Sequence, residues 1–158
     1  MSVVSDTSCI NYVVLIGEAE VLHQLYDRVI IPHAVLHELQ SARTPEPVRN
    51  WMASRPAWLE VWSAPTAGDR GLEHLGRGER DAIAIAEQFG FTLLIDERDG
   101  RAEARRQNLR VTGLLGALRD AGERGLTDVG QAVARLRKTA FRLSPRLLDA
   151  FERSSGTT

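Results

Sequence analysis

Residues 79–97, Glu-Arg-Asp-Ala-Ile-Ala-Ile-Ala-Glu-Gln-Phe-Gly-Phe-Thr-Leu-Leu-Ile-Asp-Glu, decide the fold class. The first part, Glu79 to Phe89, reads as a helix whose centre, Ala82-Ile83-Ala84-Ile85-Ala86, is too apolar for a surface position, so much of it is expected to be buried. Gly90 ends the helix. Phe91 to Ile95 is a continuous apolar run without polar alternation, the pattern of a strand covered on both faces in a parallel sheet. Working outward, short apolar strands are expected at Val3–Ser5, Arg28–Ile31, Leu59–Trp62 (at an edge) and Leu109–Thr112 (a fourth core strand). Helices are expected from Thr7 or Ser8, as cap, to Ile16, at Ala19–Tyr26, at His33–Ser41 after Pro32, and through Ser54 after Thr44-Pro45. Further helices follow at Glu97 or Arg98 to Asn108, Leu114–Arg124, Thr127–Lys138 and Ser144–Arg153. Residues 64–78 read as a Gly/Pro loop. Strands alternating with helices imply right-handed crossovers and a three-layer α/β/α domain with a mainly parallel central sheet. One domain spanning residues 1–158 is expected, with C-terminal helices from about 114 to 153.

The bulk composition is that of a soluble globular chain: 158 residues, 43% hydrophobic and 26% charged. No apolar run approaches the roughly 20 residues of a membrane helix. The opening residues lack a basic start followed by an apolar block, so no export signal is expected and the cytoplasm is the default compartment. The single Cys9 excludes an internal disulfide and is expected to be a small apolar filler. Net charge is −1 but uneven: residues 1–100 carry 15 acidic and 8 basic side chains, and residues 101–158 carry 6 and 12. The acidic part can concentrate cations and the basic part can meet phosphates. All basic residues but Lys138 are arginine, which suits bidentate phosphate contacts.

Ligands of open α/β sheets bind beyond the carboxyl ends of the strands. Asp6 follows the first strand, and Asp96 and Glu97 follow the Phe91–Ile95 strand. Asp81 is expected in the first turn of the helix leading into that strand, and so at the same edge. Glu38 is in the second turn of the helix from His33, about 100° from the core residue Leu39. Each carboxylate alone is explained by capping, by a helix dipole or by solvation. Five from distant positions at one edge repel one another and require a counterion. Oxygen donors favour Mg²⁺ or Mn²⁺.

Four segments resemble the motifs of the PIN-domain family, in order: Val4-Ser5-Asp6-Thr7-Ser8, Ile31 to Leu39, Leu75 to Ala86, and Leu93 to Asp99. The continuation from Gly100 to Gly116 resembles a branch of PIN proteins related to VapC toxins, and the match spans roughly residues 2–125. The resemblance implies a Mg²⁺- or Mn²⁺-dependent endoribonuclease that leaves 5′-phosphate and 3′-hydroxyl ends. It also implies the toxin half of a toxin–antitoxin pair, with an RNA substrate, a cognate antitoxin protein and a homodimeric state. Asp6, Glu38 and Asp81 match the first three acidic positions and are the expected catalytic residues, and all three, with Asp96 and Glu97, are the expected metal ligands. The fourth acidic position falls on Asp96 or on Glu97. Aligning Ile95 with the family's Thr places Glu97 there, a longer side chain than the usual Asp. Thr7 or Ser8 is expected to hold Asp6 or a metal-bound water by hydrogen bonding, and Arg98, Arg101 or Arg105 to grip the RNA backbone.

Rival readings rest on single features. His33 and His37 have metal-ligand spacing but no third partner. An Asp after the first strand also suits a phosphoaspartate enzyme, yet Asp6-Thr7-Ser8 lacks that phosphatase pattern's second Asp. A PIN fold with a decayed site, acting as an RNA-binding or protein-interaction scaffold, is the alternative to catalysis. Trp51, Trp58 and Trp62 are expected to close a core or a subunit contact rather than stack bases.

Overall fold

The computed structural model describes residues 1–65, 72–143 and 149. Its elements run β1 (Ser2–Ser5), α1 (Thr7–Leu15), α2 (Ala19–Leu25), β2 (Arg28–Pro32), α3 (His33–Leu39), α4 (Glu46–Ala53), β3 (Leu59–Trp62), α5 (Arg77–Phe89), β4 (Thr92–Leu94), α6 (Arg98–Arg106), β5 (Val111–Thr112), α7 (Leu114–Glu123) and α8 (Val129–Arg137). The five strands form one sheet in the order β3-β2-β1-β4-β5, and every pairing in it is parallel.

Alternation along the strands makes two cores. Val3, Val29, Ile31 and Leu94 face one side and pack with residues of α1, α2, α3, α4, α7 and α8. Val4, Ile30, Leu93 and Ile95 face the other and pack under α5 and α6, where Ala82, Ile83, Ile85, Ala86 and Ala104 are buried. Burial on both faces is why the central strands are apolar without interruption. The result is the expected three-layer α/β/α arrangement. Among the described residues no helix is long and apolar enough to cross a membrane.

The chain leaves β1, adds β2 and β3 on one side, then returns to place β4 on β1's other flank. The sheet order therefore reverses between β1 and β4. The crevice beyond the carboxyl ends of those two strands is where such a sheet opens to a ligand. The ladder continues to that point, as Asp6 N–H donates to the Leu94 carbonyl at 3.1 Å.

Four expectations need correction. Helix α1 is capped by Asp6, whose carboxylate accepts from the Cys9 N–H, and not by Thr7 or Ser8. An ionised or protonated carboxyl reaches the third amide of the helix as well as a hydroxyl does, and Asp6 is the residue with extended backbone. Helix α5 starts at Arg77 rather than Glu79, with Gly76 as its cap. Gly78 lets it do so: a Cβ there would lie 3.0 Å from Val35 Cγ2 and from Glu38 Oε1 on α3. Asp81 consequently stands in the second turn of α5, not the first. The expected fourth core strand is a two-residue, half-buried edge strand, β5, because only β4 flanks it. The expected edge position of β3 is observed, and Gly90 ends α5 with a left-handed φ of 70°. The helix expected at Ser144–Arg153 lies outside the described residues, except for residue 149.

The tryptophans divide between the two faces. Trp51 and Trp58 pack 6.0 Å apart, with His23 stacked on Trp58 at 5.3 Å, against the first core. Trp62 joins Phe89 and Phe91 beside the second.

Leu93 is completely buried in the strand next to β1. Leu93→Ala is expected to cost about 2–5 kcal/mol, seen as a lower urea midpoint with an unchanged m-value. A loss below about 1 kcal/mol would contradict the packing of α5 on this face.

Candidate functional site

Asp6 is the most deeply placed of the acidic residues. It is 2% exposed, at the end of the central strand, with Oδ1 accepting the Cys9 N–H at 3.0 Å. Burial pushes its carboxyl up to about 7, the Cys9 amide opposes this, and the charges of Asp96 and Glu79 push it further up. Loss of hydration outweighs the amide bond, so the folded chain favours the neutral acid.

Asp96, at the end of β4, sits across the crevice. It accepts from the Leu114 N–H at 3.2 and 3.3 Å and from the Cys9 thiol at 3.1 Å. The Arg101 guanidinium stands 3.9 Å away. Burial nevertheless raises its carboxyl above the usual range against those three partners. Gly113 makes this seat possible, since a Cβ there would collide with Asp96 Oδ1 and lie 2.6 Å from Arg101 Nη1. Cys9 is thus more than the expected filler: its amide holds Asp6 and its thiol holds Asp96. Burial drives the thiol's pKa well up, which keeps it protonated and able to donate.

Glu97 caps α6, accepting the Gly100 N–H at 2.6 Å. Glu38, exposed on α3, accepts a hydrogen bond from the Thr7 hydroxyl. Thr7 therefore holds Glu38 rather than Asp6. Asp81 is half-buried and lies 3.9 Å from Arg77. Burial raises its carboxyl, Arg77 and Arg80 lower it, and Glu38 raises it.

Among the described residues, two of the clefts at this edge hold the strand-end carboxylates. One, of about 680 Å³, is lined by Asp6, Thr7, Glu38 and Glu79 among others. The second, of about 1080 Å³, is lined by Asp96, Glu97 and Glu79 together with a group of arginines. Ser8, Tyr12 and Glu79 line both. Asp81 lines neither, so the structure brings Asp6 and Glu38 to one cleft and Asp96 and Glu97 to its neighbour, with Asp81 outside both.

Glu79 is the residue that sequence reasoning passed over. Its carboxylate accepts the Gly76 N–H at 3.1 Å. Burial raises its pKa, that amide lowers it, and Glu97, Glu38 and Asp99 raise it further. These couplings show that Glu79 shares its field with both acidic groups. The signal was present: Gly76 followed three residues later by Glu is the spacing of a helix start with a back-bonding acid. Placing the start at Glu79 itself concealed it.

Among the described residues no three His, Cys, Asp or Glu side chains gather closely enough to surround one ion. His33 and His37 form no such group either. The donor set still suits a hard divalent cation. Its members are carboxylate oxygens, and Asn11 Oδ1, in the same cleft as Asp6, is buried with no hydrogen-bond partner. The raised carboxyl of Asp6 is a cost that a nearby cation would relieve.

A family model described as a PIN domain matches residues 2–157. The chain belongs to the PIN-domain family. PIN domains are typically nucleases, which accords with acidic side chains at the crevice. Among solved structures, this PIN domain is similar to a PilT N-terminus domain protein from the hyperthermophilic archaeon Sulfolobus solfataricus P2. That similarity has 12% identity and a TM-score of 0.49, and covers 91% of this chain and 100% of the other. No curated protein matches the sequence.

The raised carboxyl of Asp6 in this PIN domain makes stability depend on pH. Its folded pKa of about 7 exceeds the ordinary 3.8, so the folded state binds the extra proton between those values. Stability contributed by Asp6 is greatest at low pH, falls as pH rises through about 4 to 7, and then levels off. The shift corresponds to something on the order of 4 kcal/mol. In chelator, the stability difference between Asp6→Asn and wild type should therefore grow in the variant's favour across that window, as read by urea denaturation. A difference that stays flat with pH would show Asp6 ionised throughout.

Proposed function

We propose that this chain is a Mg²⁺- or Mn²⁺-dependent endoribonuclease that hydrolyses RNA phosphodiester bonds. It works in the cytoplasm as the toxin of a toxin–antitoxin pair, as a homodimer restrained by a cognate antitoxin protein. The observation that carries the nuclease reading is the meeting of Asp6, Glu38 and Glu79 in one cleft at the β1–β4 crevice, with Asp96 and Glu97 beside them. Family membership supports nuclease chemistry. The toxin role, the antitoxin, the homodimer and the compartment are supported only by the sequence's resemblance and composition.

Asp6, Glu38 and Glu79 would hold the cation, with Asp96 and Glu97 lining the adjoining cleft and Asp81, which lines neither cleft, left to its pairing with Arg77. A divalent cation bound there supplies positive charge against the phosphate oxygens and lowers the pKa of the attacking water. The remaining work belongs to the chain. The Cys9 amide fixes the Asp6 carboxylate, the Thr7 hydroxyl fixes Glu38, and the Gly76 amide fixes Glu79. Rotamers held from behind limit the rearrangement needed when substrate arrives. Arg101, beside Asp96 and opening on the larger cleft, would orient the phosphate.

The second reading is a PIN-fold scaffold without catalysis. Two observations favour it: helix-start amides already occupy Asp6, Glu79, Asp96 and Glu97, and among the described residues no three acids surround a single point. Calorimetric titration with Mn²⁺ separates the two. Binding is expected for wild type; no binding would favour the scaffold.

Purified protein incubated with structured and unstructured RNAs is expected to cleave with Mn²⁺ or Mg²⁺ and not with chelator. Loss of a partner behind a metal ligand already costs about 10–100-fold. Asp6→Asn and Glu79→Gln, which remove candidate ligands, should lose at least about a hundredfold while keeping the wild-type circular dichroism. Undiminished cleavage by cleanly prepared Asp6→Asn would point to a contaminating nuclease and sink the assignment.

A further inference from the structure

Helix α1 is apolar except along one strip. In Thr7-Ser8-Cys9-Ile10-Asn11-Tyr12-Val13-Val14-Leu15 the strongly hydrogen-bonding side chains fall at 7, 8, 11 and 12. That spacing, i, i+1, i+4 and i+5, is one face of a helix. All four line the smaller cleft together with Asp6, Glu38 and Glu79. Thr7 is committed to Glu38. Asn11, one turn further on, is committed to nothing: its Oδ1 is buried and among the described residues has no hydrogen-bond partner. Arg80 Nε and Gln107 Oε1 are in the same state, but neither residue lines either cleft.

An Asn at the centre of α1 is costly twice. Its amide competes with the backbone for hydrogen bonds, which makes it a poor helix former. Its buried acceptor has given up water and gained no bond in exchange. Buried polar atoms are nearly always satisfied, so an orphan of this kind points to a partner that comes with function. The partner must be a donor. Ionised Asp6, Glu38 and Glu79 can only accept. Water on a hard divalent cation is a donor, and such ions keep several of their waters. Direct ligation by Asn11 fits less well. It stands five residues beyond Asp6, about 7.5 Å of helix rise, whereas oxygens on one ion lie within about 2–2.6 Å of it. A water therefore bridges Asn11 to the site more readily than the ion itself does.

We infer that Asn11 is a positioning residue of this cleft: its Oδ1 accepts a hydrogen bond from a water carried by the divalent cation that Asp6, Glu38 and Glu79 hold. Asn11 is half-buried and its terminal torsion is broad, so turning the amide brings Oδ1 to the cleft without moving α1. The inference rests on the cation site of the nuclease reading. It adds a third task to α1, which already fixes Asp6 through the Cys9 amide and Glu38 through the Thr7 hydroxyl.

The test is calorimetric titration with Mn²⁺, paired with urea denaturation in EDTA. Asn11→Leu keeps the bulk and deletes the acceptor, Asn11→Ala deletes it without overpacking, and Asn11→Asp keeps an acceptor. Asn11→Leu and Asn11→Ala are expected to bind Mn²⁺ about 10–100-fold more weakly, the usual cost of losing a partner behind a metal site. Asn11→Asp should bind at least as tightly as wild type. In EDTA, Asn11→Leu should have a urea midpoint at or above that of wild type, because an unsatisfied acceptor is gone. A lower midpoint with unchanged Mn²⁺ affinity would make Asn11 purely structural and overturn the inference. Wild-type affinity in Asn11→Ala, or a loss in Asn11→Asp equal to that in Asn11→Ala, would overturn it as well. A parallel RNA cleavage assay keeps the two readings apart. Cleavage by Asn11→Ala at the wild-type Mn²⁺ requirement removes the inference and leaves the nuclease. Weakened Mn²⁺ binding by Asn11→Ala, in a protein whose wild type binds the ion but cleaves nothing, supports the inference and removes the nuclease. No Mn²⁺ binding by wild type removes both.

Discussion

A carboxylate accepting a backbone N–H at the start of a helix recurs four times along one edge of this sheet. Asp6 does so for α1, Glu79 for α5, Glu97 for α6 and Asp96 for α7. Each bond satisfies an amide that the helix leaves unpaired and sets a negative group at the positive end of the peptide dipoles. Taken singly these are ordinary caps. The parallel topology makes them collective, because helices that follow strands, or return to them, begin at the carboxyl edge. Capping therefore concentrates anions at one place, and burial then makes them costly. The raised carboxyls of Asp6, Glu79, Asp81 and Asp96 all have loss of hydration as their first cause.

The same caps fix the site's shape. Cys9 joins Asp6 to Asp96 through two different atoms, so α1 and the β4 end are held at one distance. Glycines allow the close approaches: Gly78 brings α5 against Glu38 and Thr7, and Gly113 admits the Asp96 carboxylate against the start of α7. Position of the crevice follows from strand order, since β1 is flanked by β2 on one side and by β4, entered much later in the chain, on the other. The basic cleft is a consequence of what comes next. Helix α6 leaves the end of β4 and α7 the end of β5, so arginines of the C-terminal part are delivered beside acids of the N-terminal part.

Much of this was legible in order along the chain. The apolar runs at Val3–Ser5, Arg28–Ile31 and Phe91–Ile95, with helices between, led to a parallel sheet because burial on both faces leaves no polar alternation. Asp6, Asp96 and Glu97 could be assigned to the sheet edge for the same reason: each follows a strand. Glu38 and Asp81 depended on helix phase, and phase depends on where a helix begins. The two-residue difference at the start of α5 moved Asp81 to the second turn and promoted Glu79, a change that Gly78 packing against α3 imposes from outside the segment. The weak β5 was overestimated because Leu109, Val111 and Thr112 do not reveal that only one neighbour will pair with their segment.

Local sequence thus accounts for which residues stand at strand ends and helix starts, since hydrophobic period and capping chemistry act over a few residues. Only the folded chain decides which of those residues share a cleft. That Glu79 lines both clefts, that Asp81 lines neither, that Cys9 ties two carboxylates together and that Tyr12 meets Phe141 are contacts between distant segments. They are set by the packing of helices against the sheet, where a Cβ too many or a turn's difference in phase redirects a side chain. No pattern within a single segment carries that information.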